Sequence, residues 1–215
     1  MVVNQNKKND FLQKMPVSRE TENKLECYLE TLIKWNSKIN LVSQKTIENA
    51  WERHFLDSAQ LVKYIPENTK KVVDIGSGAG FPGVVLATLK GDFNLDFETN
   101  LVESDSRKCA FLQEVVRVCD VSKVRIFNSR IEKNKDLNGD VVTARALADL
   151  NLLLDYSYNY ITKYGKYIFL KTQNIDKELH EAQKSWIFDY SLEPSITDEN
   201  GAIIIVENLK KIEKG

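Results

Sequence analysis

One stretch limits what this chain can fold into more than any other: Asp74 to Gly83, "DIGSGAGFPG". It follows the β-branched run "KVV" and precedes the apolar run "VVLATL". Gly76, Gly78, Gly80 and Gly83 can take backbone conformations closed to other residues, and none carries a Cβ. An ordinary turn needs one or two glycines. A stretch this rich in them, with Pro82 inside it, implies main chain that a ligand approaches closely. The helix after the loop aims free N–H groups into the same space. The expected unit is strand, glycine loop, helix.

Downstream the alternation repeats. "FETNLVES", "KVRIFNS", "DVVTARA" and "GKYIFLKTQ" read as strands, and "SRKCAFLQEVVRVCD", "LADLNLLLDYSYNYI" and "DKELHEAQKSW" as helices. Gly91 is expected to close the helix after the glycine loop. "FDYSLEP" and "AIIIVENL", joined by the turn "DENG", are expected to be antiparallel. The pattern predicts an α/β fold with a mostly parallel seven-stranded sheet, helices on both faces and a C-terminal antiparallel hairpin. Upstream, residues 1–18 read as a frayed start. Arg19–Trp35 is an amphipathic helix with Leu25, Leu29, Leu32 and Ile33 on one side, and a second helix is expected from Ile47 to Ile65, ended by Pro66. The division expected is a helical cap over residues 1–68 and one compact sheet unit over 69–215.

Composition excludes little. With 30 Lys and Arg against 31 Asp and Glu, any basic surface must be local. Three cysteines without metal-ligand spacing read as reduced thiols of a cytoplasmic protein, with no metal. No apolar run is long enough to span a membrane, and the N-terminus is too polar for a secretory signal.

"GAGFPG" matches the dinucleotide pattern G-x-G-x-x-G, so an NAD(P)-type oxidoreductase is one reading of the loop. Two acids favour another. Asp74, at the strand end, would repel a pyrophosphate but can accept from an ammonium group or a water. Glu103, closing the next strand, can accept both hydroxyls of a ribose. Together they suit an adenosine that carries an amino acid and no phosphate, which is S-adenosylmethionine. "NSRIE", Asn128–Glu132, can pair with an adenine edge, or is a polar loop with an Arg130–Glu132 ion pair.

Several strings occur in a fixed order: "KWNSKINLVS", "ERHFLDSAQL", "DIGSGAGFPG", "LVESDSRKCAFL", "NSRIE" and "VVTARALADL". Over residues 20–210 they resemble the bacterial 16S ribosomal RNA guanine-N7 methyltransferase family, also called glucose-inhibited division protein B. The resemblance implies the class I, Rossmann-like methyltransferase fold, S-adenosylmethionine as donor, and 16S rRNA or the 30S subunit as partner. It implies cofactor contacts at Gly76, Phe81, Ile131, Glu132 and Arg145, with Asp74, Gly78 and Glu103 at the general class I positions. The family's Leu-Lys-Gly after the fifth strand is "LKTQ" here, with Thr172 for Gly.

Guanine N7 carries a lone pair and no proton, so no catalytic base is expected; Arg145, Lys171 and Phe81 are candidates for positioning the reactants. Phe81 and Arg145 can also stack a base. Residues 1–71 hold 12 Lys and Arg against 9 Asp and Glu, an excess of three that suits an RNA-facing cap. Lys34, Lys38, Lys45, Arg53, His54 and Lys171 are the RNA-binding candidates. His54 can equally be a packing histidine, and Trp35 and Trp51 read as cap core. A monomer is expected, and a non-catalytic RNA-binding module is the remaining alternative.

Overall fold

A computed structural model describes residues 5–133, 137–171 and 174–213. Thr172, where the chain departs from the family pattern, lies outside the described residues. The strands are β1 (Lys71–Ile75), β2 (Glu98–Glu103), β3 (Val124–Asn128), β4 (Gly139–Arg145), β5 (Ile161–Lys171), β6 (Trp186–Pro194) and β7 (Ala202–Lys211). They form one sheet in the order β3-β2-β1-β4-β5-β7-β6. β1 to β5 pair in parallel, and β7 runs antiparallel to β5 and β6. The order reverses beside β1, so the crevice beyond the strand ends opens where β1 parts from β4.

Successive residues along the strands enter two different cores, as the period of a pleated strand demands. Val72, Leu101, Val141, Ile168 and Ile203 join one apolar cluster; their neighbours Val73, Val102, Val142, Phe169 and Ile204 join the other. The first cluster is covered by α5 (Gly83–Leu89), α6 (Ser106–Val118) and the N-terminal helices, the second by α7 (Leu150–Ser157) and α8 (Ile175–Ala182).

The N-terminal region differs from expectation in two places. Residues 1–18 are not a frayed start throughout: α1 (Gln5–Lys14) buries Phe11 completely, and its Lys8 ammonium pairs with Glu22 and Glu26 of α2 (Arg19–Asn36) at 2.5 Å. One apolar ring per three turns gives a weak periodic signal, which is why the helix was hidden. The helix expected over 47–65 is instead a series of short pieces: α3 (Gln44–Ile47), a π-helical turn (Trp51–Leu56), α4 (Asp57–Ala59) and a 3-10 turn (Gln60–Tyr64). Trp51, His54, Phe55 and Leu56 are all buried, more of the circumference than one α-helical stripe covers, and the wider π turn accommodates them. A third difference lies after α5. Gly91 does not close it; the chain continues as a 3-10 turn to Phe93 and stops at Asn94, which takes the left-handed conformation at φ 56°. The buried Lys90 ammonium holds that turn by donating to the Phe97 (2.8 Å) and Ser122 (3.2 Å) carbonyls.

Aromatic rings carry the cap onto the sheet. Phe11 meets Trp51 at 5.3 Å, Trp51 meets Phe55 at 4.9 Å, and Tyr28 stacks on Phe81 of the glycine loop at 5.2 Å. The Tyr28 hydroxyl donates to the Ala79 carbonyl in the same loop.

Candidate active site

β1 delivers the chain into the glycine loop. Gly76 sits at φ 65°, and a Cβ there would lie 2.6 Å from Leu147. Gly83 is required by contact instead: its Cβ would lie 2.5 Å from Leu101 and 2.8 Å from the Asp74 side chain. Gly76 is thus held to glycine by its positive φ and Gly83 by the close approach of Leu101 and Asp74.

Glu103 ends β2 as expected, but it already has work. One carboxylate oxygen accepts from the Gly78 N–H (2.9 Å) and the other from the Asp105 N–H (2.8 Å), so the acid staples the loop to the end of β2. Each oxygen retains a second lone pair, enough to accept a hydroxyl. Asp74 is not at the loop's mouth. It is fully buried beneath it, with Oδ1 accepting from the Thr143 hydroxyl (2.8 Å) and Oδ2 buried without a side-chain partner among the described residues. Burial pushes its pKa up to about 6, against the pull of Thr143, Ser77, the Gly83 N–H and the Arg145 charge.

A cavity of about 710 Å³ opens above the loop. Its floor is Gly76–Ala79 with Phe81, and one side is the end of β2 with Ser129–Glu132. The far wall is Arg145–Leu147 with cap residues Leu41, Val42, Thr46, Arg53, His54 and Asp57. The structure thus brings together Gly76, Gly78, Phe81, Glu103, Ile131, Glu132, Arg145, Arg53 and His54 from the sequence-based set, and leaves Asp74 behind the wall.

Arg145 ties the cap to the sheet. Nη1 donates to the Arg53 carbonyl (2.9 Å) and to Asp57 (3.1 Å), and Nη2 lies 3.1 Å from His54 Nδ1. Its guanidinium sits 4.9 Å from the Phe81 ring, on which His54 also stacks at 4.9 Å. With Tyr28 and Phe55 packed there too, Phe81 is only 4% exposed and is a wall rather than an open platform for a base. Burial first, then Arg145 and Arg53, drive the His54 pKa down to about 3, so the imidazole is neutral. Ala146 follows at φ 52°, a strained conformation for a residue with a Cβ.

The RNA candidates separate. Lys34, Lys38 and Lys45 are exposed. Arg53 is exposed, borders the cavity and lies 3.6 Å from Asp198. Lys171 departs from the expectation of a free cation: it is 9% exposed, with its ammonium 2.7 Å from Glu178 and donating to the Ala148 carbonyl at 2.7 Å. A buried ammonium needs such partners, so its charge is already neutralised. Sequence reasoning missed Asp57, which accepts from Arg145, from Thr197 (2.6 Å) and from Gln60 (3.1 Å). Its signal was its place four residues after Arg53 in "ERHFLD". Lys108, inside "LVESDSRKCAFL", and Tyr156, which lies in no quoted string, also border the cavity.

The chain as a whole has known relatives. The model of the family GidB, rRNA small subunit methyltransferase G, matches residues 21–203. The chain belongs to this family. It is 43% identical over 206 residues to a ribosomal RNA small subunit methyltransferase G of Paramagnetospirillum magneticum, covering 96% of each chain. It is 45% identical over 196 residues to one of Gluconobacter oxydans, covering 91% of this chain and 98% of that one. Among solved structures, it superposes on M. jannaschii TYW2 in complex with AdoMet with a TM-score of 0.56 at 16% identity, over 82% of this chain and 80% of that one. It matches a putative O-methyltransferase from Klebsiella pneumoniae with 0.57 at 13% identity, over 93% and 95%. The fold is that of the S-adenosylmethionine-dependent methyltransferases, and the family membership decides the glycine loop in favour of S-adenosylmethionine over a dinucleotide.

Proposed function

We propose that this protein transfers a methyl group from S-adenosylmethionine to N7 of one guanine in 16S rRNA, free or within the 30S subunit. The donor supplies an electrophilic methyl carbon, and the chain's residues hold, orient and shield. Gly76 and Gly78 expose main chain to the donor, Glu103 accepts from its ribose, and Ile131 with Glu132 borders its adenine. Asp74 supports the loop from beneath. Arg145 and Phe81 form the wall against which the target base is presented, while Lys34, Lys38, Lys45 and Arg53 meet phosphates. Lys171 acts by fixing Glu178 and the chain at Ala148 rather than by touching RNA.

The observation that carries the reading is the state of His54. It is an imidazole on the cavity wall, yet its Nδ1 is engaged by Arg145 and its pKa is held at about 3. A group held that way is no general base at neutral pH. Such a site suits a nucleophile that has no proton to lose. Guanine N7 is one: its lone pair forms the new N–C bond as the C–S bond breaks, and the base becomes cationic. The acceptors of Asp57 and Glu103 ease that charge.

We propose further that residues 1–68 act as an RNA-facing cap on a catalytic unit of 69–215, and that the protein works as a cytoplasmic monomer. No described helix is long and apolar enough to cross a membrane. The test is transfer of labelled methyl from S-adenosylmethionine to 30S subunits and to naked 16S rRNA from cells lacking the gene, with the modified base mapped by reverse transcription. Label at a single guanine N7 is expected. Donor binding without any transfer to rRNA would leave the non-catalytic RNA-binding reading instead.

A further inference from the structure

The cavity floor, Gly76–Ala79, is held from outside at two successive residues. From the sheet, Glu103 accepts from the Gly78 N–H at 2.9 Å. From the cap, Tyr28 of α2 donates its hydroxyl to the Ala79 carbonyl, across 51 positions of sequence. The peptide that follows Ala79 is thereby fixed at both ends, because its Gly80 N–H donates to the Ser77 carbonyl at 2.7 Å. The Tyr28 oxygen also fills the space that a side chain at position 80 would need: a Cβ on Gly80, at φ 89°, would lie 2.5 Å from it. The phenol is 1% exposed, and burial holds its pKa well above the ordinary 10.0, so it keeps its proton and donates. Its ring stacks on Phe81 at 5.2 Å and meets Phe55 edge-on at 5.4 Å. Phenylalanine would satisfy that packing equally. The hydroxyl adds one thing, a hold on the main chain of the loop.

We propose that Tyr28 is a positioning residue for the methyl donor: from the cap, its hydroxyl fixes the Ala79 peptide and so keeps the cavity floor in the shape that S-adenosylmethionine binds. The cap then does more than face RNA; it completes the donor site. The proposal rests on S-adenosylmethionine as donor and not on which base is methylated. The loop needs such a hold. Gly76, Gly78 and Gly80 all stand at positive φ, and glycines leave the backbone many alternatives that must be excluded before a ligand can lie on main chain. A buried carbonyl that loses its donor turns to find another, and here it would carry the Gly80 N–H and the turn with it. The coupling is reciprocal: if the bond favours the donor, the bound donor favours the seating of α2.

The test uses the full chain, calorimetry with S-adenosylmethionine, and methyl transfer to 30S subunits from cells lacking the gene. Tyr28→Phe keeps the ring on Phe81 and removes only the hydroxyl. Its Kd for S-adenosylmethionine is expected to rise about three- to tenfold, and its KM for the donor by the same factor, with kcat and the KM for the subunit within about twofold of wild type. Replacing Tyr28 by p-aminophenylalanine restores an N–H donor and should recover most of the affinity. Ile204→Val weakens the apolar cluster on the other face of the sheet and is expected to leave donor affinity unchanged. In the wild-type chain, saturating S-adenosylmethionine should slow hydrogen exchange in α2 more than in α8, which packs on that other face. A Tyr28→Phe Kd within about twofold of wild type would overturn the proposal. So would an equal loss of affinity in Ile204→Val, which would reduce Tyr28 to a stabilising contact. Equal slowing in α2 and α8 would overturn it even if Tyr28→Phe does not fold. A wild-type chain that fails to bind S-adenosylmethionine is a distinct result, which removes the donor assignment and this proposal with it.

Discussion

Asp74 is held ionised at a cost to the fold, and that cost can be measured. The side chain is fully buried, one of its oxygens has no side-chain partner among the described residues, and its pKa is raised from the ordinary 3.8 to about 6. At about 1.4 kcal/mol per pH unit, the displacement corresponds to ~3 kcal/mol of stability. The direction follows from proton counting. Between pH 4 and 6 the folded chain holds a proton on Asp74 that the unfolded chain has released, so stability falls as pH rises through this window. The penalty is complete above pH ~6 and absent below ~4. Asp74→Asn keeps an acceptor for Thr143 and removes the charge. Urea unfolding of the ligand-free protein should show the variant more stable than wild type by up to ~3 kcal/mol at pH 7.5, with the gap closing toward pH 4. Parallel stability curves for the two proteins across that range would refute the reasoning. So would a variant that is less stable at pH 7.5, since it would mean that the carboxylate is stabilised by partners rather than stranded.

Other contacts give equally direct expectations. Gly83→Ala drives a methyl to within 2.5 Å of Leu101 and 2.8 Å of Asp74, and should lower the unfolding free energy by about 1–3 kcal/mol in the same urea assay. Arg145→Lys keeps the charge but cannot reach the Arg53 carbonyl, Asp57 and His54 together; a loss of about 1–3 kcal/mol is expected, whereas an unchanged urea midpoint would show that the fork is dispensable. Cys27 and Cys119, with sulfurs 3.0 Å apart, join α2 to α6. Hydrogen peroxide should convert this pair to a disulfide with loss of water, leaving Cys109 as the one titratable thiol and raising the thermal midpoint until a reductant is added.

The parallel sheet was legible because each strand is a short apolar run, punctuated by glycine, asparagine or charge, and because period-two burial leaves both faces apolar in Val72–Val73 and Val141–Val142. The glycine loop was legible for a different reason: four residues without side chains in one stretch are more than an ordinary turn needs. What stayed hidden depends on tertiary partners. α1 buries little besides Phe11, so its pattern is faint until α2 and Trp51 are present. The π turn at Trp51–Leu56 exists because four of its six side chains are buried at once against partners distant in sequence. Glu103 was recognised as an acceptor, but its bond to Gly78 spans 25 positions and has no local trace. Asp74 was read as an acceptor at the strand end, and its depth stayed hidden because sequence gives position along a strand and not depth beneath a loop.

Lys171 and Arg145 show how chain position and tertiary context divide the work. Both end strands at the same edge of the sheet, paired in register as Arg145 with Leu170 next to Lys171. Lys171 is enclosed by α8 and the segment before α7, where Glu178 and a carbonyl consume its charge. Arg145 faces the cap, where its fork is shared among a carboxylate, a carbonyl and an imidazole. The cavity wall therefore does not exist in either half of the chain alone: β4 supplies the cation, and the π turn together with Asp57 at the start of α4 supplies the three groups that hold it. Any movement of the cap against the sheet must break hydrogen bonds to Arg145, so the shape of the cavity wall and the seating of the cap are set by the same residue.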